Sequence, residues 1–251
     1  PSIRVGTWSN IGGSPNAMCC TNGTGIETAF LAAGGHCCCT NEYNGVSWNT
    51  GATTPRHFCG GGAAGTQNSA MLQGGVPNGN CVARYDGVAY SSYGANTPIY
   101  KCKHAMVGDS CDHDDILLWH GNCCGNATLC FDGSAWSCVA EFPYCNMSGG
   151  YAGNSSAAIS IGGLNNCPAT WTDEEGGQQR RGDHSCLIHS WDGTAWSQEG
   201  NVLYKKYNSG ATGTQNNALV IGGNCSCHQD ASEQLACTTE EWDGTTLKSG
   251  G

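Results

Sequence analysis

Short apolar runs alternate with polar turn residues along the whole chain, and one such run recurs. In one copy Gly65-Thr-Gln-Asn leads into Ser-Ala-Met-Leu-Gln and stops at Gly74-Gly75. In another Gly213-Thr-Gln-Asn leads into Asn-Ala-Leu-Val-Ile and stops at Gly222-Gly223. Weaker copies run from Gly25 to Gly34-Gly35 and from Gly153 to Gly162-Gly163. A further copy keeps Gly108 and Ile116-Leu117-Leu118 but ends in His120-Gly121. Downstream of each run stands an aromatic residue, then Asx-Gly, then a stretch that usually carries a second aromatic. The series is Tyr43-Asn44-Gly45 with Trp48, Tyr85-Asp86-Gly87 with Tyr90, Phe131-Asp132-Gly133 with Trp136, Trp191-Asp192-Gly193 with Trp196, and Trp242-Asp243-Gly244. Asx-Gly between β-rich runs predicts hairpins, read here as type I′ turns with two positive-φ residues. Proline opens four units, at Pro15, Pro55, Pro98 and Pro143, and Leu203 stands in its place in the fifth.

The spacing of Gly45, Gly87, Gly133, Gly193 and Gly244 suits four short strands per unit. For the second unit these are predicted at about 58–64, 68–74, 81–86 and 88–93. One such sheet has two open edges and too little core to stand alone, and radial repetition buries its faces against neighbours. The expected fold is therefore an all-β, five-bladed propeller forming one domain over 1–251. Its blades are placed near 15–50, 55–93, 98–138, 143–198 and 203–250, with an extra strand at 5–10. That strand, Val5-Gly-Thr-Trp8-Ser-Asn10, and the C-terminal Thr245–Gly251 compete for one closing position. Trp8 favours the first, and the second would then be displaced or follow it outside as a fifth strand, leaving a strand edge for another chain.

These repeats resemble kelch-like propeller repeats of the galactose-oxidase type. They are most similar to the tandem TEEWDGTSW and GTQTAALAFGG repeats of phage and environmental bacterial surface proteins. The matching stretches are Thr239-Glu-Glu-Trp-Asp-Gly-Thr245 and the two Gly-Thr-Gln-Asn segments. The likeness covers nearly the whole chain, closest in the second and fifth units. It implies the propeller fold, and it implies little about activity because propellers host many.

Composition sharpens the picture. Gly fills 39 of 251 positions and charged residues only 12%, about half the usual share of ~25%. Polarity comes instead from turn residues, which disfavours long amphipathic helices. A net charge of −10 without a Lys/Arg stripe argues against nucleic-acid partners, and no apolar run reaches the ~20 residues of a membrane span. The chain starts at Pro1 with neither Met nor a signal segment, so a cleaved mature form or a missing upstream stretch is expected. Nineteen cysteines without any CxxC pair point to disulfides in an extracellular, oxidising compartment rather than to zinc modules.

In an up-down blade the start of the first strand and the loop between the second and third strands share a face. That predicts Cys59–Cys81, Cys102 with Cys123 or Cys124, and Cys19 or Cys20 with one of Cys37, Cys38 and Cys39. The long inserts at 164–184 and 224–235 are expected to close as Cys167–Cys186 and as Cys225 or Cys227 with Cys237. His36-Cys37-Cys38-Cys39 could also hold a soft metal, but disulfides are the reading adopted. Asp112, Asp114 and Asp115 form a weak Ca²⁺ candidate, read as a solvated acidic loop. Sequons at Asn22, Asn126, Asn146, Asn154 and Asn224 are glycosylation candidates, foremost the loop sites Asn126, Asn154 and Asn224.

No catalytic set emerges. Ser190-Trp-Asp192-Gly193-Thr-Ala-Trp196 only approaches a sialidase Asp-box, and nothing pairs Glu141, Asp173, Glu174 or Glu175 across a site. No cofactor is expected. The sequence predicts a non-catalytic extracellular structural or attachment protein, part of a surface appendage, filament or particle. It would associate with itself or other surface proteins through loops and strand edges. The alternative is a glycan-binding propeller lectin.

Overall fold

The computed structural model describes residues 10–77, 79–108, 114–121, 125–165, 171–172, 178–179, 185–225, 234–235 and 238–250. All regular structure among them is β, arranged as five four-stranded antiparallel blades of propeller type with consecutive strands adjacent. Blade 1 comprises β1 (Asn22–Ile26), β2 (Ala29–Ala33), β3 (Thr40–Tyr43) and β4 (Trp48–Thr50). Blade 2 comprises β5 (Gly62–Thr66), β6 (Ser69–Gln73), β7 (Val82–Tyr85) and β8 (Tyr90–Tyr93). Blade 3 comprises β9 (Ala105–Gly108), β10 (Ile116–Trp119), β11 (Ala127–Phe131) and β12 (Trp136–Glu141). After β13 (Asn146–Met147), blade 4 takes β14 (Gly150–Gly153) and β15 (Ala158–Ile161). The segments β16 (Leu164–Asn165), β17 (Trp171–Thr172) and β18 (Gln178–Gln179) intervene before β19 (Leu187–Trp191) and β20 (Trp196–Asn201) complete it. After β21 (Lys206–Tyr207), blade 5 takes β22 (Gly210–Thr214) and β23 (Asn217–Ile221). It passes through β24 (Asn224–Cys225) and β25 (Gln234–Leu235), then ends in β26 (Thr239–Trp242) and β27 (Leu247–Ser249). The chain divides into two compact units, residues 10–139 with blades 1 to 3 and residues 140–251 with blades 4 and 5.

Within each unit the core lies between neighbouring blades. Leu31, Ala33, Phe58, Ala70, Leu72, Ala83 and Tyr85 pack blade 1 on blade 2. Ala64, Met71, Val82, Met106, Ile116 and Phe131 pack blade 2 on blade 3. In the other unit Ile159, Ile161, Ile188, Val220 and Trp242 are central to the equivalent cluster. Strand β6 shows why its sequence is an unbroken apolar run: Ala70 and Leu72 face one neighbour while Met71 faces the other. A strand covered on both faces has no polar side to alternate with. The first strands of adjacent blades crowd together, which explains Gly62-Ala-Ala in β5. A Cβ on Gly62 would sit 2.6 Å from Met106 Cβ and 2.8 Å from His104 Nε2.

Two expectations are corrected. The Asx-Gly hairpins are four-residue loops, not two-residue type I′ turns: Tyr85 pairs with Tyr90 and Trp191 with Trp196. Only the glycine takes a positive φ, between 88° and 96° across Gly45, Gly87, Gly133, Gly193 and Gly244. The Asx side chain decides this, because its Oδ1 accepts the N–H groups two and three residues on, at 2.8–3.1 Å in all five loops. Secondly, the C-terminal segment is not displaced. Strand β27 pairs with β26 as the fourth strand of blade 5, joined by the Asp243-Gly244 loop, whose carboxylate also meets Lys248 Nζ at 2.5 Å. A hairpin this local closes at little entropic cost. The competing N-terminal segment 5–10 lies outside the described residues except for Asn10.

Candidate functional site

Among the described residues, a dense group of reactive side chains sits where the chain approaches blades 1 and 2. Cys19 and Cys20 precede β1, His36 lies in the turn after β2, and Cys59 precedes β5. The ligand atoms of Cys19, Cys20 and His36 fall within 4.8 Å of one another. Cys59 Sγ is 3.4 Å from His36 Nε2, and burial and then the neighbouring Cys20 thiol push its own thiol up. Backbone bonds tie the three loops together: His36 N–H donates to Cys19 O at 3.3 Å, and Gly60 N–H donates to Cys20 O at 3.2 Å. Gly35, at φ +89°, permits the approach, since a Cβ there would lie 2.3 Å from Cys19 O. Cys20 itself takes the left-handed conformation at φ +56°, an uncommon setting for a residue with a Cβ.

Cys59 therefore faces Cys20 and His36. Its backbone bridges Val76, so the Gly74-Gly75-Val76 turn stands between it and Cys81. Cys81 lies 3.4 Å from Arg56 Nη1. No two of Cys19, Cys20, Cys37, Cys38, Cys39, Cys59 and Cys81 stand at disulfide distance. The Cys39 thiol is pushed up first by its hydrogen bond with Cys37 and then by burial. Cys102 is buried and Cys186 packs at the edge of the blade 4–5 core. Cys123, Cys124, Cys167, Cys227, Cys237 and the side chain of Cys225 lie outside the described residues, as does Asp112. Asp114 ion-pairs with Arg84 at 2.7 Å, while Asp115 is exposed.

The sequons separate by burial. Asn22 and Asn146 are interior, their amide nitrogens donating to Phe58 O at 2.7 Å and Gly162 O at 2.8 Å. Asn126, Asn154 and Asn224 are half-buried, and Asn224 donates to the Tyr207 hydroxyl at 3.1 Å. The hairpin aromatics pack in cross-strand pairs with centroids 4.6–5.4 Å apart, namely Tyr43–Trp48, Tyr85–Tyr90, Phe131–Trp136 and Trp191–Trp196. Three of the indoles are also anchored, with Trp136, Trp191 and Trp242 donating to Ala95, Ser155 and Gln215 carbonyls.

Several key polar residues escaped the sequence reading. Lys206 is fully buried and ion-pairs with buried Glu240 at 2.7 Å. Lys101, equally buried, donates to the carbonyls of His120, Gly125 and Ala127 at 2.8–3.2 Å. Both stand three residues after the unit-opening Pro98 or Leu203, a place held elsewhere by Met18, Phe58 and Asn146. His104 is held neutral, its pKa down to about 3, by burial and then by Lys101. His189, between the Phe142 and Tyr144 rings, is brought down to about 4 by burial. None of these groups faces solvent, and both ring nitrogens of His104 are buried without a hydrogen-bond partner among the described residues.

The chain matches no protein-family model and no curated protein. Solved structures do match its fold. The structure of YjhT is similar with a TM-score of 0.56, covering 95% of this chain and 98% of that one. The blades are those of a β-propeller. At 12% identity the likeness to YjhT concerns the fold alone.

Proposed function

We propose that this chain is a non-catalytic extracellular module of kelch-like repeats, a component of a surface appendage, filament or particle. The observation that carries this reading is the unequal build of its blades. Between second and third strands, blades 1 and 2 have the short connections 34–39 and 74–81, whereas blades 4 and 5 have 162–186 and 222–238. The long connections form strands of their own: β17 pairs with β18, and β24 joins β21 and β25. Connections that exceed the repeat on a rigid scaffold are where partner contacts concentrate. For cysteines apart from Cys19, Cys20 and Cys59, blade-local disulfides belong to the same reading: Cys102 with Cys123 or Cys124, Cys167 with Cys186, and Cys225 or Cys227 with Cys237.

Electron microscopy and light scattering of the purified chain test this. Concentration-dependent polymers are expected, and deletion of 170–182 should abolish them while leaving the melting temperature within a few degrees. A chain that stays monomeric at all concentrations and binds specific sugars on a glycan array would overturn the reading in favour of a lectin.

A further inference from the structure

We propose that Cys19, Cys20, Cys59 and His36 form a tetrahedral binding site for Zn²⁺. Three sulfurs and one imidazole nitrogen are the ligand set of a closed structural zinc centre. With Zn–S near 2.3 Å and Zn–N near 2.0 Å, ligand atoms around a tetrahedral ion stand about 3.5–3.8 Å apart. Cys59 Sγ and His36 Nε2 are already 3.4 Å apart, and the Cys19, Cys20 and His36 atoms lie within 4.8 Å of one another. Cys59 stands outside that compact trio, so seating the ion requires its Sγ to turn inward to complete the tetrahedron.

The surroundings fit that chemistry. Three separate loops deliver the ligands, and their mutual backbone bonds fix the spacing before any ion arrives. On binding, three thiol protons leave to solvent, the imidazole stays neutral and coordinates through a ring nitrogen, and no electron is transferred. Two positive charges against three thiolates leave the centre at −1, and the chain at Lys103 runs beside it, its N–H donating to Gly60 O at 2.6 Å. The ion would lock the chain before β1 to the chain before β5, tying blade 1 to blade 2 beside buried Phe58. The inference does not rest on the assembly reading, and it departs from the disulfide part of that reading at Cys19, Cys20 and Cys59, which must be reduced to take the ion.

The test uses the full chain, purified under reductant without chelator. Elemental analysis should find about one zinc per chain. Co²⁺ in its place should give the sulfur-to-cobalt charge-transfer band and the intense visible bands of a tetrahedral thiolate site. Cys59→Ser, Cys20→Ser and His36→Gln should each reduce the zinc content towards zero, while Cys81→Ser keeps it. Should a variant fold poorly, the cobalt spectrum of the unaltered chain still decides. A reduced, folded chain that takes up neither ion, or whose cobalt spectrum lacks the sulfur band, overturns the proposal. So does zinc retained in full by folded Cys59→Ser and Cys20→Ser, or a Cys20–Cys59 disulfide whose reduction restores no binding.

Discussion

Lys206 has no exposed surface, and an unpaired ammonium in such a place would cost the fold several kcal/mol. Glu240 at 2.7 Å makes it tolerable. Glu240→Gln alone should lower stability by about 3–5 kcal/mol in urea denaturation, whereas Lys206→Met combined with Glu240→Leu should cost much less. The buried histidines set a second expectation. Their folded pKa values, about 3 for His104 and about 4 for His189, lie below the unfolded value near 6.5. Between those limits the unfolded chain binds more protons than the folded one, so stability falls as pH falls from about 6.5 to about 3. The hairpin aspartates act in the same direction, their carboxyls held low by backbone N–H groups at Asp86, Asp132 and Asp192. Melting temperatures measured from pH 7 to pH 4 should drop throughout, and His104→Phe with His189→Phe should flatten the upper part of the curve. Little of this was legible in the sequence. Met18, Phe58, Lys101, Asn146 and Lys206 share a position but no chemistry, so a pattern defined by residue type passes over them.

The Gly-Thr-Gln-Asn motif shows its meaning at the level of whole elements. Gln67, in the turn between β5 and β6, donates its amide to Phe30 O and Tyr43 O of blade 1 at 3.1 and 2.9 Å. Gln215, in the turn between β22 and β23, does the same to Ala158 O and Trp191 O of blade 4 at 3.3 and 2.6 Å. Where blade 3 meets blade 2, Arg84 pairs with Asp114 and lies 5.6 Å over the Phe131 ring. Gln215→Leu strands two carbonyls and should cost about 1–3 kcal/mol by chemical denaturation, and Gln67→Leu the same. Gly62→Ala drives a methyl into Met106 and should cost a similar amount through overpacking. Strand order and the five hairpins were readable because periodic apolar runs and Asx-Gly pairs report local structure. The turn type was not, because Asp86 and its counterparts favour a side-chain-capped loop that the dipeptide alone does not distinguish. The thiol–imidazole cluster was half visible: His36 and its cysteine neighbours stood out, but Cys20 and Cys59 come from loops that only the packing of blades 1 and 2 brings together.

For the molecule as a whole, twenty acidic against ten basic residues give a net charge of −10. Copies of such a chain repel one another when dilute salt leaves that charge unscreened. Raising ionic strength from about 0.01 to 0.15 M shortens the Debye length from about 30 to 8 Å. Self-association through the long connections of blades 4 and 5 should therefore strengthen with salt, as light scattering across that range would show. Weaker association in salt would mean that opposite charges, not loop packing, hold the contact.

The glutamine in each Gly-Thr-Gln-Asn turn belongs by sequence to one repeat and by function to the repeat before it. When a gene stretch covering one repeat is copied in tandem, the newcomer arrives already carrying the clasp for its predecessor. Its own clasp is supplied by whatever follows.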